Sequence, residues 1–336
     1  MHSFLLDKKA FDILIVRPDL DSVISELEKT LYREDLERAL VTTPGIHGFE
    51  NALRYNLIRT FRKILRLVEG GTGERYVRIF LAKWDIHNIK TILRGKRVHV
   101  PASEIRDYLI PSGDLDEATL NELVKQPDLK AVIDLLAVWG YEWATPLTLH
   151  FGEFTQRNDL VILEYALDQY YYQWALSLIA GKTRDEKTIR DLISTEIDVT
   201  NIKCILSLNR DGIDAADSAQ VLLEGGRYLD HNMLMMMVNE PTVTGLLKYL
   251  ESTPYRFLLK LPVEGKRALM SVYQNALDIY LIKQGVAVFR CDPLSVSIVI
   301  GYLWAKYNEI INLRIIGRCK NIRISLEEIE RELIYV

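Results

Sequence analysis

The sequence contains little cysteine, proline or glycine, and it has no long hydrophobic run. Its 336 residues include 3 Cys, 10 Pro and 18 Gly. The cysteines are too few and too scattered for a disulfide framework and form no Cys-x-x-Cys pair, so no structural zinc site is expected. The longest strongly apolar stretch, residues 296–304, is about half of the roughly 20 residues that a membrane-spanning helix needs.

The sequence also lacks a large excess of either charge and the usual catalytic motifs. Basic residues number 42 and acidic residues 46, and the net charge of −4 gives no electrostatic reason to expect nucleic acid as a partner. Histidines form no His-Glu-x-x-His motif, and neither a P-loop nor a Gly-x-Ser-x-Gly motif occurs. We therefore expect no metal, no cofactor and no catalytic residues, and, without a signal peptide, a cytoplasmic location.

Helical periodicity is the main pattern that the sequence does contain. Apolar residues recur at i, i+3, i+4 and i+7 in residues 55–68, 77–93, 160–180, 186–208, 266–289 and 293–317. This spacing predicts an all-α protein in which glycine-containing breaks, such as residues 70–73 and Gly181, separate antiparallel helices. The one strand-like segment is residues 11–16, ahead of Pro18.

A short motif recurs three times along the chain, the third time in a weaker form. It consists of an acidic residue, two residues, an asparagine, an apolar residue and a basic residue. The copies are Asp85, Asn88 and Lys90; Asp198, Asn201 and Lys203; and Glu309, Asn312 and Arg314. The acidic positions recur at nearly equal intervals of about one third of the chain, so the repeating unit has the size of a small domain rather than of a solenoid repeat.

Other segments repeat at matching distances. An alanine precedes the motif acid at almost the same distance in each copy, at Ala52, Ala166 and Ala276. The dipeptides beginning at Leu115 and Leu229 each lead to a proline with the same spacing. We predict three similar helical domains, residues 1–130, 131–242 and 243–336, with a shortened third copy and an atypical segment of about 20 residues at the start of the first.

The asparagine of each motif falls within the apolar stripe of a helix, and three explanations are open. A buried amide without partners costs about 1–3 kcal/mol, so the simplest hypothesis is a polar clip that joins the two helices of a hairpin. Ligand binding by all three copies and catalysis by the Asp–Asn–Lys set are the alternatives. The basic residues of the motif lie toward the opposite side of the helix, as solvated positions often do.

Two helix ends carry an excess of positive charge. They contain Arg94, Lys96 and Arg97 in the first copy, and Arg318, Lys320 and Arg323 in the third. Such ends can contact an acidic partner or lipid head groups, or they can simply be solvated.

Taken together, these motifs resemble the C subunit of archaeal and bacterial V/A-type rotary ATPases, which is similar to the d subunit of eukaryotic vacuolar ATPases. The resemblance rests on the Asp-x-x-Asn-Ile-Lys-x-Ile-Leu-Arg motif at residues 85–94, its repeat at 198–206, the segment 225–230 and the Asp-Pro-Leu of 292–294. It covers residues 50–336, whereas residues 1–20 lack the family's Tyr- and Arg-rich opening helix.

The resemblance implies a non-catalytic part of a rotor. Members of this family form a funnel of three helical domains around a central opening. One copy per complex connects the central stalk, formed by the D and F subunits, to the proteolipid ring on the cytoplasmic side of the membrane, and so couples ATP hydrolysis or synthesis to proton or sodium transport. The stator subunit of the membrane sector is a further candidate partner. The alternative is a helical scaffold or adaptor unrelated to an ATPase.

Overall fold

The computed structural model describes residues 5–212, 221–261, 266–290 and 295–335, and side chains within these ranges except those of 266–269 and 290. Cys291 and the Asp-Pro-Leu segment 292–294 lie outside the described residues. Within the described ranges no β-strand occurs, and the predicted all-α class is confirmed. None of the described helices combines the length and hydrophobicity needed to span a bilayer.

In the described part of the chain, six long helices carry most of the apolar periodicity seen in the sequence, and ten shorter ones precede, connect or follow them. In chain order the helices are α1 (Lys8–Ile15), α2 (Leu20–Leu27), α3 (Arg33–Thr42), α4 (Gly45–Val68), α5 (Glu74–Arg97), α6 (Ala102–Arg106), α7 (Glu117–Lys125), α8 (Leu129–Val138), α9 (Ala144–Arg157), α10 (Val161–Ser177), α11 (Arg184–Asp211), α12 (His231–Val238), α13 (Val243–Lys248), α14 (Lys266–Ala287), α15 (Val296–Asn321) and α16 (Leu326–Glu332). The 3-10 helices Pro254–Lys260 and Val288–Arg290 precede and follow α14.

The chain packs as two compact units. The first combines residues 1–132 with 285–336, and the second comprises residues 133–284. In the first unit α15 packs against α2, α4 and α5, and in the second α10 packs against α9 and α11. The three-domain division follows the sequence repeat instead of compactness, and it remains a prediction, as does the funnel shape.

The expectation of a strand-like segment at residues 11–16 is wrong. This segment belongs to helix α1, which begins after Asp7, whose side chain accepts a hydrogen bond from the Ala10 N–H at 2.9 Å. The apolar residues that suggest a strand are Phe11, Leu14 and Ile15, and they are all buried on one face of this helix. Their i, i+3, i+4 spacing is helical, but eight residues are too few for the period to stand out.

Aspartates cap other helices in the same way, among them α7 and α12. Asp116 accepts from the Thr119 N–H of α7, and Asp230 accepts from the Met233 N–H of α12, both at 2.8 Å. A carboxylate at this position satisfies a backbone donor that the helix leaves free and interacts favourably with the helix dipole. Asp7, Asp116 and Asp230 each follow a leucine, and each precedes a proline at one common distance: Pro18, Pro127 and Pro241. The repeat therefore includes the N-terminal segment that the motif comparison alone did not find.

Candidate functional site

Each motif asparagine is buried and pairs with the backbone of a residue that lies 22 positions later. In every case the side-chain oxygen accepts from that residue's N–H, and the side-chain nitrogen donates to its carbonyl. The pairs are Asn88 with Ile110 at 2.8 Å, Asn201 with Leu223 at 2.8 Å and Asn312 with Ile334 at 2.9 Å. The side-chain amide thus takes the place of a peptide group, and the segment that follows the long helix is fixed against it.

The aspartates of the first two motifs bind backbone N–H groups just before the next helix begins. The Asp85 carboxylate accepts from the N–H groups of Asp114 and Leu115, at 2.8 and 3.1 Å. Asp198 accepts from three consecutive N–H groups, and the shortest of these bonds, 2.8 Å, comes from Tyr228. Both aspartates are buried, and the bonds tether the start of α7 or α12 to the preceding long helix.

A glycine allows the backbone to approach each aspartate this closely. A Cβ atom placed on Gly113 would lie 2.2 Å from the Asp85 carboxylate, and one on Gly226 would lie 2.2 Å from the Asp198 carboxylate. Any larger residue at these positions would push the carboxylate out of its place. The separation of the two glycines along the chain equals that of the two aspartates, so the glycine is part of the repeat.

Burial changes the protonation equilibrium of both aspartates. It raises the pKa of Asp85 from 3.8 to about 7, against the opposing effect of the hydrogen bonds from Asp114 and Leu115. Burial likewise raises the pKa of Asp198 to about 6, while four hydrogen bonds, the largest effect coming from the Tyr228 N–H, lower it. The N–H donors favour the ionised carboxylates but do not fully replace the water lost on burial.

The third motif has a glutamate, and its partners come from the opposite end of the sequence. Glu309 accepts hydrogen bonds from the Leu6 N–H and, at 2.6 Å, from the Tyr32 hydroxyl. The buried ammonium of Lys306 lies 2.6 Å from the same carboxylate and 2.9 Å from the Tyr32 oxygen. Leu6 precedes its capping aspartate as Leu115 does. In the first copy the N–H donor to the motif acid comes from Leu115, after the motif, whereas in the third copy it comes from Leu6 in the N-terminal segment.

Burial affects the other two members of this cluster in opposite directions. It lowers the pKa of Lys306, although the adjacent Glu309 carboxylate counteracts the effect. It raises the pKa of the Tyr32 hydroxyl, and the negative charge of Glu309 raises it further. Tyr32 is therefore a neutral phenol that donates a hydrogen bond to the Glu309 carboxylate. Its hydroxyl contacts both members of a buried ion pair, Lys306 and Glu309.

A second tyrosine occupies the corresponding place beside Asp198. The Tyr255 hydroxyl donates to Asp198 at 3.0 Å, as Tyr32 does to Glu309. In both cases a threonine two residues earlier accepts from the tyrosine N–H and donates to a leucine carbonyl three residues before it; these threonines are Thr30 and Thr253. The motif comparison did not identify the tyrosines. The shared pattern Leu-x-x-Thr-x-Tyr at 27–32 and 250–255 was the signal that could have found them.

The basic residues of the three motifs do not share a role. Lys203 forms an ion pair with Asp278 at 2.5 Å, whereas Lys90 and Arg314 are half-buried. The bonds that hold the following segments come from the acid and the asparagine. The acid and the asparagine are therefore the two positions of the motif that hold the structure together.

The six residues predicted to contact partners lie in different environments. Lys96 donates to the Val124 carbonyl at 2.5 Å, and Lys320 is buried. Arg318 is exposed and pairs with Glu50 at 2.5 Å. The remaining residues at the surface are the exposed Arg94 and Arg323 and the half-buried Arg97. Lys96 and Lys320 therefore contribute to packing, and contact of the six residues with partners stays a prediction.

This geometry favours the structural clip over the ligand-binding and catalytic hypotheses for the motif. Asn88 and Asp85 are completely buried, and the bonds described for them end on the backbone of the following segment. The prediction differs from the structure in one respect. The asparagine holds the segment after its own helix, and not the partner helix of the hairpin.

Comparison with known proteins agrees with the motifs. The sequence profile of the family described as ATP synthase (C/AC39) subunit matches residues 1–332. The chain belongs to this family.

Family members with similar sequences include C subunits of A-type ATP synthases from archaea. That of Methanococcoides burtonii is 29% identical over 99% of this chain and 91% of its own length. The protein from Halorubrum lacusprofundi is 30% identical over 92% of this chain and 87% of its own length. That of Methanocaldococcus jannaschii is 28% identical over 98% of this chain and 82% of its own length. The hypothesis of an adaptor unrelated to an ATPase is therefore wrong.

Proposed function

We propose that this chain is a non-catalytic central-rotor subunit of a V/A-type ATPase or ATP synthase. In this role it is the socket between the central stalk, formed by the D and F subunits, and the proteolipid ring on the cytoplasmic side of the membrane. It transmits torque between them and so couples ATP hydrolysis or synthesis to proton or sodium transport. The observation that carries the proposal is the family match, which extends over residues 1–332.

The structure of each unit is suited to the transmission of force. Long helices are stiff along their length, and the loops that join them are the parts that deform first. Here the segments after α5, α11 and α15 are bound to those helices by buried asparagines, and the starts of α7 and α12 are bound by buried aspartates. These bonds tie the connections to the long helices, and this arrangement suits a part that must pass a twist from one helix to the next.

Binding measurements with the proposed partners test this function. The full chain is immobilised and offered a purified D–F stalk complex and a detergent-solubilised proteolipid ring, first separately and then together. We expect both to bind, and the stalk complex and ring to be retained together only when the chain is present. If neither partner binds at low or physiological salt, the socket role is wrong, even though the chain belongs to the family.

A further inference from the structure

The first unit contains a cleft of about 700 Å³ that the motifs do not use. It lies between α3, α4 and the segment from α6 to α7. Seven basic side chains line it against three acidic ones, Asp35, Asp107 and Glu117. The chain as a whole is slightly acidic, so the excess of four positive charges in this cleft does not follow from its overall composition. A positively charged cleft attracts anions.

Only part of this positive charge is neutralised within the protein. Arg59 is paired with Asp35 and with Glu34, at 2.6 and 2.7 Å. Arg62 lies 3.3 Å from Glu117 in a pair of exposed side chains, which is a weak interaction in water. Arg66, by contrast, is exposed and has no ion-pair or hydrogen-bond partner among the described residues. The cleft therefore retains positive charge that a ligand could compensate.

Two further arginines are held in place by an aromatic ring. The guanidinium groups of Arg38 and Arg54 each lie 4.9 Å from the centre of the Tyr55 ring. Arg54 also donates to the Leu109 carbonyl at 2.9 Å, while its Nε is buried without a hydrogen-bond partner among the described residues. These contacts fix the orientation of both groups before any ligand arrives, which lowers the entropic cost of binding.

We propose that this cleft binds a compact polyphosphate anion, either free or as the phosphorylated head group of a lipid. Guanidinium groups match phosphate oxygens with paired hydrogen bonds, and they approach the cleft from α3, α4 and α6. The volume falls in the range of small-molecule sites, about 300–1,000 Å³, and fits a short phosphate chain. The guanidinium groups of Arg38 and Arg54 already lie over the Tyr55 ring, so the ring is not free to stack on an aromatic base. The phosphates are therefore the groups that the cleft recognises.

Calorimetric titration of the purified full chain with inorganic tripolyphosphate tests the proposal. The Arg38→Gln/Arg66→Gln double variant is expected to bind at least about tenfold more weakly than the wild type, which corresponds to about 1.4 kcal/mol. The control is Arg33→Gln/Arg157→Gln, which removes the same charge from surface arginines outside the cleft and is expected to bind as the wild type does. Circular dichroism verifies that all three proteins are folded.

Three results would overturn the proposal. The first is the absence of measurable binding at low salt, and the second is an equal loss of affinity in the cleft variant and in the control. Stronger competition by polyglutamate than by tripolyphosphate would also overturn it, because the cleft would then recognise an acidic polypeptide.

A second arm distinguishes the two sources of the phosphate groups. Sedimentation is measured with vesicles of phosphatidylcholine alone and with vesicles that also contain phosphatidylinositol bisphosphate. A lipid head group is supported if the wild type binds the vesicles that contain phosphatidylinositol bisphosphate, tripolyphosphate displaces it, and the double variant does not bind. Tripolyphosphate binding without vesicle binding supports a soluble polyphosphate. This inference is independent of the socket role, since it concerns a ligand of the isolated chain.

Discussion

Single side chains replace backbone partners at the points where this chain turns back on its long helices. An asparagine amide offers the same donor and acceptor as a peptide group, and Asn88, Asn201 and Asn312 each use both on one distant residue. Because no β-strand occurs in the described part of the chain, a sheet does not supply these bonds. At this scale the motif is a substitute for secondary structure, and its removal should leave buried backbone groups without partners.

Replacement of Asn88 by alanine tests this role. The N–H and the carbonyl of Ile110 both lose their partner, and each buried group left unsatisfied costs about 1–3 kcal/mol. We expect a lower unfolding free energy in urea and a lower melting temperature, with Asn201→Ala behaving alike in the second unit. Asn232→Ala, at an exposed position of α12, is the control and should change little. Equal stability of Asn88→Ala and the control would refute the clip.

The pKa of Asp85 predicts a pH dependence of stability. In the unfolded chain this carboxyl ionises near 3.8, whereas in the folded chain burial moves its pKa to about 7. Between these values the folded state holds an additional proton, so the contribution of this group to stability is complete below pH 3.8 and is lost as the pH rises to about 7.

The unfolding free energy of the wild type should therefore fall between pH 5 and pH 8 by more than that of Asp85→Asn, which does not titrate. Urea unfolding at the two pH values measures both differences. Glu104→Gln, at an exposed position of α6, should keep the pH dependence of the wild type. An unaltered pH dependence in Asp85→Asn would show that burial does not shift this pKa.

At the scale of helices, the N-terminal segment has the same construction as the segments before α7 and α12. A leucine N–H binds the motif acid, an aspartate caps the helix, and a proline follows that aspartate at the same distance in all three segments. The first segment differs because its acid, Glu309, is 303 residues away in sequence. The N-terminal segment is thus attached to α15 in the first unit.

Leu6→Pro tests this attachment, because proline has no N–H to donate to Glu309. We expect a lower melting temperature and faster proteolysis near the N-terminus, since the Glu309 carboxylate would lose one of its buried partners. The control is Lys8→Pro, which places proline at the first position of α1, where helices tolerate it well. If both variants are equally stable, Leu6 does not anchor the segment.

The sequence is sufficient for the long helices and for the motif, and insufficient where partners are distant. Helices such as α5 and α11 contain enough turns for their period to be evident, whereas α1 has eight residues and its pattern suggests a strand. The Asn88 clip follows from an amide in an apolar stripe, but its backbone partner does not. The cluster of Tyr32, Lys306 and Glu309 could not be predicted, because packing alone brings together residues from opposite ends of the sequence.

At the scale of the whole molecule, the proposed function depends on surfaces that meet other subunits. The arginines at the ends of α5 and α15 are the first candidates, since the lysines beside them are engaged in packing. A positively charged helix end attracts an acidic partner, and such an attraction weakens as salt screens it.

Charge reversal at Arg94 and Arg97 tests this surface. The Arg94→Glu/Arg97→Glu variant should bind the stalk complex or the ring more weakly than the wild type, with the largest difference at low ionic strength. Lys125→Glu/Lys130→Glu, elsewhere on the first unit, changes the charge by the same amount and serves as the control. Unchanged affinity for both partners at low salt would exclude this surface as the interface.

The proposed role is that the chain couples ATP hydrolysis to ion transport without taking part in chemistry. ATP hydrolysis and ATP-driven ion uptake are measured in proteoliposomes, with the complex assembled with and without this chain. We expect that the complex without the chain still hydrolyses ATP but transports no ions, and that addition of the purified chain restores transport. Ion transport at an undiminished rate without the chain would contradict it.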